Sequence, residues 1–211
     1  MTLQNYYWYF IGALSPETCD EIIKHGNSHP GKTAMTGTQA DKIDKNENLT
    51  KQDMLDLKKK RDSSIVWLSD QWIYDEIHPY INIANKNAGW NYDWDYSESC
   101  QFTKYKLNQY YDWHCDSWDK PYKEDSYPHR RGKIRKLSVT VLLSDPKDYK
   151  GGEFQFQFRN EDDANIIHEV KQLTKRGSII VFPSWVWHRV QPVTEGVRYS
   201  MVVWNLGVPF K

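Results

Sequence analysis

From Trp90 onward the chain is broken into short apolar runs by closely spaced turn residues, and this texture restricts the fold more than any other feature of it. The runs cover residues 100–105, 111–115, 135–143, 153–158, 166–170, 178–182, 186–192 and 197–204. Between them lie turn signals such as Leu107-Asn108-Gln109, Gly151-Gly152 and Thr194-Glu195-Gly196. Short strands with regular turns predict an all-β sandwich or jelly roll. The first 90 residues read differently. Residues 6–11 suggest a strand, and Ser15-Pro16-Glu17 a helix start, with Ser as N-cap and Pro at the first helical position. Cys19, Ile22 and Ile23 supply the apolar face of that helix, and Gly26 a stop. Residues 27–49 read as a long polar loop, 52–60 as a short helix and 65–68 as a strand. Trp72, Ile73, Ile77, Ile81 and Ala84 recur at helical spacing across 70–87, interrupted by Pro79. The expected fold is mainly β with flanking helices, an α+β chain. It forms one domain over 1–211, with 1–90 as helical and loop support and 91–211 as the β core.

Charge and composition narrow the function classes. Lys plus Arg number 28 and Asp plus Glu 28, so the chain carries no net charge with which to attract nucleic acid or an anionic membrane. Aromatic residues make up 15%, including ten Trp and fourteen Tyr, which suits strands and an aromatic-lined cavity. The three cysteines, Cys19, Cys100 and Cys115, have no zinc-type pairing and read as reduced thiols. The N-terminus lacks the basic start and apolar run of a signal peptide, and no stretch approaches the roughly 20 apolar residues of a membrane span. A cytoplasmic protein without membrane partners is the expectation.

The densest chemistry is Tyr111-Asp112-Trp113-His114-Cys115-Asp116. On an extended segment, residues two apart project to the same side, so His114 and Asp116 can aim an imidazole and a carboxylate at one point. Of the seven histidines, His25, His29 and His78 precede the strand-rich region, His129 sits in a charged loop and His168 is flanked by Ile167 and Glu169. His188, on a strand entering from a Pro turn, is the best third metal ligand. Two histidines and a carboxylate on one face of a metal leave positions open for a cosubstrate and O2, the arrangement of non-haem iron(II) oxygenases. Arg198 follows ten residues after His188. A hairpin turning near Glu195 would set Arg198 opposite Pro192, about 13 Å along the sheet from His188 at about 3.3 Å per residue. A five-carbon dicarboxylate on the metal, met by an arginine fork, spans a similar gap.

These motifs resemble the prolyl 4-hydroxylase-like branch of the 2-oxoglutarate/iron(II) oxygenases. The family pattern Tyr-x-x-Gly-Gln-x-Tyr-x-x-His-x-Asp is similar to YKLNQYYDWHCD over 105–116, with Asn108 in place of Gly. RKLSVTVLL over 135–143, Gly151-Gly152-Glu153-Phe154, His188, Arg198 and Trp204 match in order and spacing. The resemblance implies a double-stranded β-helix (jelly roll, cupin-like) and a dioxygenase that uses iron(II), 2-oxoglutarate and O2, with ascorbate as reductant. It implies His114, Asp116 and His188 as metal ligands, acting as the catalytic centre. It implies Arg198 and Tyr105 as 2-oxoglutarate-binding residues and Trp204 as a pocket wall. Related halogenases lose the carboxylate, so the presence of Asp116 points to hydroxylation.

Tyr111, Trp204 and Trp118 are the expected substrate-pocket residues. The first expectation for the substrate is a prolyl residue in a peptide or protein. The alternative is a free amino acid or another small molecule. A contrasting reading is a non-catalytic β-helix binding protein, against which the intact set His114, Asp116, His188 and Arg198 argues. The neutral charge argues against a nucleic-acid substrate, although an aromatic base-flipping pocket stays open as a reading. The long loop at 118–136 is of a kind often used as a lid or binding loop, and 27–49 is a second candidate.

Overall fold

The computed structural model describes residues 5–44, 47–117, 120–122, 127–159 and 165–210, and Trp118 lies outside them. The N-terminal part contains β1 (Trp8–Phe10), α1 (Pro16–Asn27), β2 (Lys32–Thr33), α2 (Gly37–Asp44), α3 (Lys51–Lys60), β3 (Arg61–Asp62), β4 (Ser64–Leu68) and α4 (Gln71–Asn87). Then follow β5 (Tyr96–Ser97), β6 (Cys100–Tyr105), β7 (Tyr110–His114), a 3-10 turn (Pro128–Arg130), β8 (Ile134–Leu142), β9 (Tyr149–Gly151) and β10 (Phe154–Arg159). The last strands are β11 (Asn165–Glu169), β12 (Ile179–Pro183), β13 (Trp187–Val190), β14 (Val193–Gly196) and β15 (Arg198–Gly207). Among the described residues no helix is long and apolar enough to cross a membrane.

Local chemistry explains the helix boundaries. Ser15 Oγ accepts the Thr18 N–H at 3.1 Å, and Pro16 occupies the first turn, as its sequence predicts. Thr50 and Asp53 form a reciprocal capping box at the start of α3. Three expectations need correction. The 27–49 segment is not a plain loop, because it contains β2 and α2. Pro79 does not interrupt α4, which runs through it to Asn87. Gly26 does not stop α1 either; the helix continues to Asn27, and Gly26 is instead where Phe102 approaches it. A Cβ at Gly26 would lie 2.5 Å from the Phe102 ring. Gly26→Ala is therefore expected to destabilise the protein by about 1–3 kcal/mol through overpacking, read as a lower urea midpoint.

Eight strands form a large sheet in the order β1-β12-β8-β15-β6-β4-β2, with β5 also pairing β15. Five form a smaller sheet, β11-β10-β13-β7-β3, and β14 pairs with β9. Alternation in the large sheet sends side chains to two buried destinations. Leu137, Val139, Val141, Ile179, Val181, Met201 and Val203 pack with Cys19 and Ile22 of α1 and with Ile73, Ile77 and Ile81 of α4. The opposite face looks into the space between the sheets, where Leu142, Ile180 and Phe182 meet Phe154, Phe156 and Val190 of the smaller sheet. Being covered on both sides, β8 is buried along Lys136–Leu142, so its run of IRKLSVTVL reads as nearly continuous rather than alternating. Each fully buried aliphatic or aromatic side chain contributes about 1.5–3 kcal/mol.

The hairpin expected between His188 and Arg198 does not form. β13 belongs to the smaller sheet and β15 to the large one, and the chain crosses between them through β14. Arg198 instead stands opposite Tyr105 of β6. Thr194-Glu195-Gly196, read as a turn, lies instead within β14, which pairs with β9, and Gly196 at φ 72° ends that strand before the chain enters β15.

Candidate metal and dicarboxylate site

His114 and His188 are register partners on β7 and β13, and their rings lie 4.1 Å apart. His114 Nδ1 is 2.7 Å from the Asp112 carbonyl and His188 Nδ1 is 2.9 Å from the Val186 carbonyl. A carbonyl only accepts, so each Nδ1 carries a proton, and in the neutral ring this leaves the lone pair on Nε2. Asp116 lies two residues beyond the end of β7, where its backbone N–H donates to Ser184 O at 2.8 Å. Ser138 Oγ donates to Asp116 Oδ2 at 2.8 Å, and the Ser184 hydroxyl is 2.9 Å from that of Ser138. Asp116 Oδ1 is 3.7 Å from His114 Nε2, and Oδ2 is 3.5 Å from His188 Nε2. One donor atom from each of the three residues falls within 4.8 Å of the others.

The electrostatics suit a cation at that point. Burial, reinforced by neighbouring His188, holds the His114 imidazole pKa well below its ordinary value and keeps the ring neutral. Burial alone would raise the Asp116 carboxyl, but His188, His114 and Arg135 outweigh it and hold Asp116 ionised. Two imidazole Nε2 atoms and a carboxylate oxygen, each side chain anchored from behind, match the donor set of a facial-triad metal.

A β-bulge shapes the floor. The register runs His188↔His114 and then Val190↔Tyr111, three residues of β7 against two of β13. Simple alternation would put Tyr111 and His114 on opposite faces. The extra residue puts them on the same face, with the rings stacked at 3.5 Å and 12°. Tyr111 thus lies flat against a candidate ligand.

Arg198 is 1% exposed and enters from the large sheet. Its Nε and Nη1 have no hydrogen-bond partner among the described residues. The guanidinium carbon lies 5.6 Å from the centre of the buried Tyr105 ring. Gly152, at φ +67°, leaves room for it, since a Cβ there would lie 2.7 Å from Arg198 Cδ. An unpaired guanidinium is costly to bury, so this cradle fits a carboxylate supplied from outside the chain. Trp204 is buried beneath Arg135, whose guanidinium carbon is 3.9 Å from its ring, and Trp67 lies 6.0 Å away. Ser200 stands opposite Thr103, next along the face from Arg198. The histidines passed over as ligands have other roles. His168 bonds Tyr7, His25 bonds Asp70, His78 bonds Ser97, and His129 stacks on Tyr96.

Sequence reading missed Ser184 and Glu98, and it took Ser138 and Arg135 only as part of the 135–143 motif, without a role. A signal for Ser138 was present, because Ser138 and Thr140 interrupt an otherwise apolar strand at alternate positions, as Gln101 and Thr103 do on β6. Glu98 is 1% exposed and receives Arg135 Nε at 2.8 Å, Arg135 Nη2 at 2.7 Å and the Tyr122 hydroxyl at 3.1 Å. Arg135 Nη1 in turn donates to the Asp116 backbone carbonyl at 3.4 Å. Burial would raise the Glu98 carboxyl, but Arg135 and Arg130 outweigh it and hold it below its usual 4.5. A depressed carboxyl stabilises the fold above 4.5 and loses that contribution as pH falls through the folded-state value. Glu98→Gln is therefore expected to cost about 3 kcal/mol at neutral pH and to flatten the acid limb of stability, measured by urea melts across pH.

Comparison with known proteins agrees with this geometry. The sequence profile of the 2OG-Fe(II) oxygenase superfamily matches residues 100–205, half of the chain, and the chain belongs to that superfamily. A PKHD-type hydroxylase of Cupriavidus metallidurans is 39% identical over 79 residues, covering 37% of this chain and 32% of that protein. The PKHD-type hydroxylase YbiX of Escherichia coli O157:H7 is 34% identical over 103 residues, 49% of this chain and 40% of its own length. The matches thus span well under two thirds of these relatives. Among solved structures, a viral collagen prolyl hydroxylase from Paramecium Bursaria Chlorella virus-1, in its 2OG complex, superposes with a TM-score of 0.60 at 21% identity. That match covers 97% of this chain and 98% of the viral one. A Trichoplax adhaerens prolyl hydroxylase, solved with a hypoxia inducible factor peptide fragment, gives 0.59 at 17% identity over 96% of this chain and 84% of its own. At these identities the likeness establishes the fold, a double-stranded β-helix.

Proposed function

We propose that His114, Asp116 and His188 hold iron(II), that Arg198 with Tyr105 holds 2-oxoglutarate, and that the protein hydroxylates a prolyl residue in a peptide or protein. The observation that carries the cofactor reading is Arg198, buried with two unpartnered nitrogens and no acidic partner among the described residues. Its planar fork suits the far carboxylate of a dicarboxylate. When bound, the iron and its cosubstrate supply the oxidising power for C–H hydroxylation, with O2 consumed, 2-oxoglutarate converted to succinate and CO2, and ascorbate maintaining the ferrous state. The chain's own part is to orient and to shield. The carbonyls of Asp112 and Val186 fix the imidazole tautomers, Ser138 orients Asp116, and Tyr105 and Trp204 wall the pocket. The prolyl substrate is supported by the prolyl hydroxylases that share the fold and by the hydroxylase-named relatives. We also place the protein in the cytoplasm, where thiols stay reduced, because Cys19 and Cys100 are buried free thiols that burial pushes up to about 11 and about 12.

The test is succinate release by the purified protein with iron(II), ascorbate, O2 and 2-oxoglutarate, alone and with proline-containing peptides. Succinate that rises with a peptide, together with a peptide product heavier by one oxygen atom, supports the reading. Failure of 2-oxoglutarate to bind the metal-loaded protein would remove the cofactor assignment. Turnover stimulated by free amino acids and not by peptides would overturn the peptide substrate alone.

A further inference from the structure

A second guanidinium is buried near the site without a counter-charge. Arg61, on β3, is 4% exposed. Its Nε donates to Ser63 Oγ at 3.1 Å and its Nη1 to the Met35 carbonyl at 3.3 Å, while Nη2 has no partner among the described residues. No carboxylate among those residues forms an ion pair with it. It lies against the inner face of the smaller sheet, its guanidinium carbon 4.4 Å from the centre of the Tyr111 ring. Tyr111 in turn stacks on His114 at 3.5 Å, so a single aromatic ring separates Arg61 from a proposed metal ligand. Arg61 and Arg198 both bear on the buried Tyr105 phenol, Arg61 the more strongly.

Charge accounting says what is missing. On the proposed reading, the two charges of iron(II) are met by Asp116 and by one carboxylate of 2-oxoglutarate. The other carboxylate meets Arg198. Arg61 is left with a full positive charge, nine-tenths buried and with a donor free. Leaving a buried cation uncompensated is expensive, and a well-formed carboxylate pair removes that cost. Water could satisfy the free N–H but not the charge.

We propose that Arg61 is a substrate anchor, and that the substrate carries a carboxylate close to the carbon that is hydroxylated. This rests on the cofactor reading above and narrows the substrate. The carboxylate belongs either to a free amino acid or to an acidic residue beside the target in a peptide, and Arg61 recognises the same group in both.

The test uses two pairs of probes that differ only in charge. They are L-proline with L-prolinamide, and N-acetyl-prolyl-glutamate amide with its glutamine analogue. Their binding to the protein loaded with manganese(II) and 2-oxoglutarate is measured by calorimetry, so that no turnover is needed. In at least one pair the carboxylate member is expected to bind about 10- to 100-fold more tightly. The pair that discriminates names the source of the carboxylate. In Arg61→Gln the preference is expected to collapse to within about threefold, and Arg61→Lys, which keeps the charge but not the fork, to retain part of it. Thermal melts establish that both variants fold, and the comparison within each pair on the native protein stands even where a variant does not. No preference in either pair, including no binding of any of the four probes, overturns the proposal, as does a preference that persists in Arg61→Gln. The 2-oxoglutarate titration that precedes the probes separates the two readings. Tight 2-oxoglutarate binding without probe discrimination removes the role of Arg61 alone, whereas absent 2-oxoglutarate binding removes both.

Discussion

His188→Ala is expected to weaken metal binding and to reduce succinate formation by at least about 100-fold. Loss of a group that merely orients a ligand already costs about 10- to 100-fold in metal affinity or activity, and His188 supplies a proposed ligand atom itself. The effect should be specific to the metal. His188 is packed among Phe154, Phe156 and Phe182, so truncation also leaves a small cavity and lowers stability by a few kcal/mol at most. Manganese(II) titration followed by calorimetry, beside a thermal melt, separates the two losses. A folded variant that binds manganese as tightly as the native protein would remove His188 from the ligand set.

Arg198→Met should show opposite signs in two measurements. Affinity for 2-oxoglutarate is expected to fall by about two to three orders of magnitude, because truncating one partner of a buried charge pair costs about 2–5 kcal/mol. Without 2-oxoglutarate, the variant is expected to melt at a higher temperature than the native protein. Methionine fills much of the same volume without burying an unpaired guanidinium, and Arg198 has two nitrogens with no partner among the described residues. Saturating 2-oxoglutarate should raise the melting temperature of the metal-loaded native protein and leave that of the variant nearly unchanged. If the variant is less stable in both conditions, Arg198 is an ordinary structural residue and the pocket is not built for an anion.

The parts of the fold legible in the sequence are those governed by near neighbours. Ser15-Pro16 starts α1 because the hydroxyl and the fixed proline φ act within one turn. Runs such as 100–105 are strands because their side chains alternate between two buried layers. The spacing that brings His114 and Asp116 to one point is equally local, although Asp116 lies past the strand end and is held by Ser184 and Ser138 rather than by the ladder. The expectation for α4 erred because one missing donor at Pro79 is tolerated where Ile73, Ile77 and Ile81 anchor the same helix in the core.

By itself, then, the sequence determined the donor types, the strand periodicity and the helix caps, all of which are set within a few residues. Only the tertiary structure decided which sheet each strand joins. Thr194-Glu195-Gly196 reads as a turn on local grounds, but long-range pairing makes it part of β14 against β9 and sends the chain on to β6 and β8 of the large sheet. That crossing aims Arg198 into the space between the sheets. The bulge in β7 likewise depends on pairing with β13, and it sets Tyr111 flat on His114. In the sequence Arg61 simply follows Lys58-Lys59-Lys60. Its burial against Tyr111, and so its free donor beside the site, exists only because β3 pairs with β7 across 50 residues of chain.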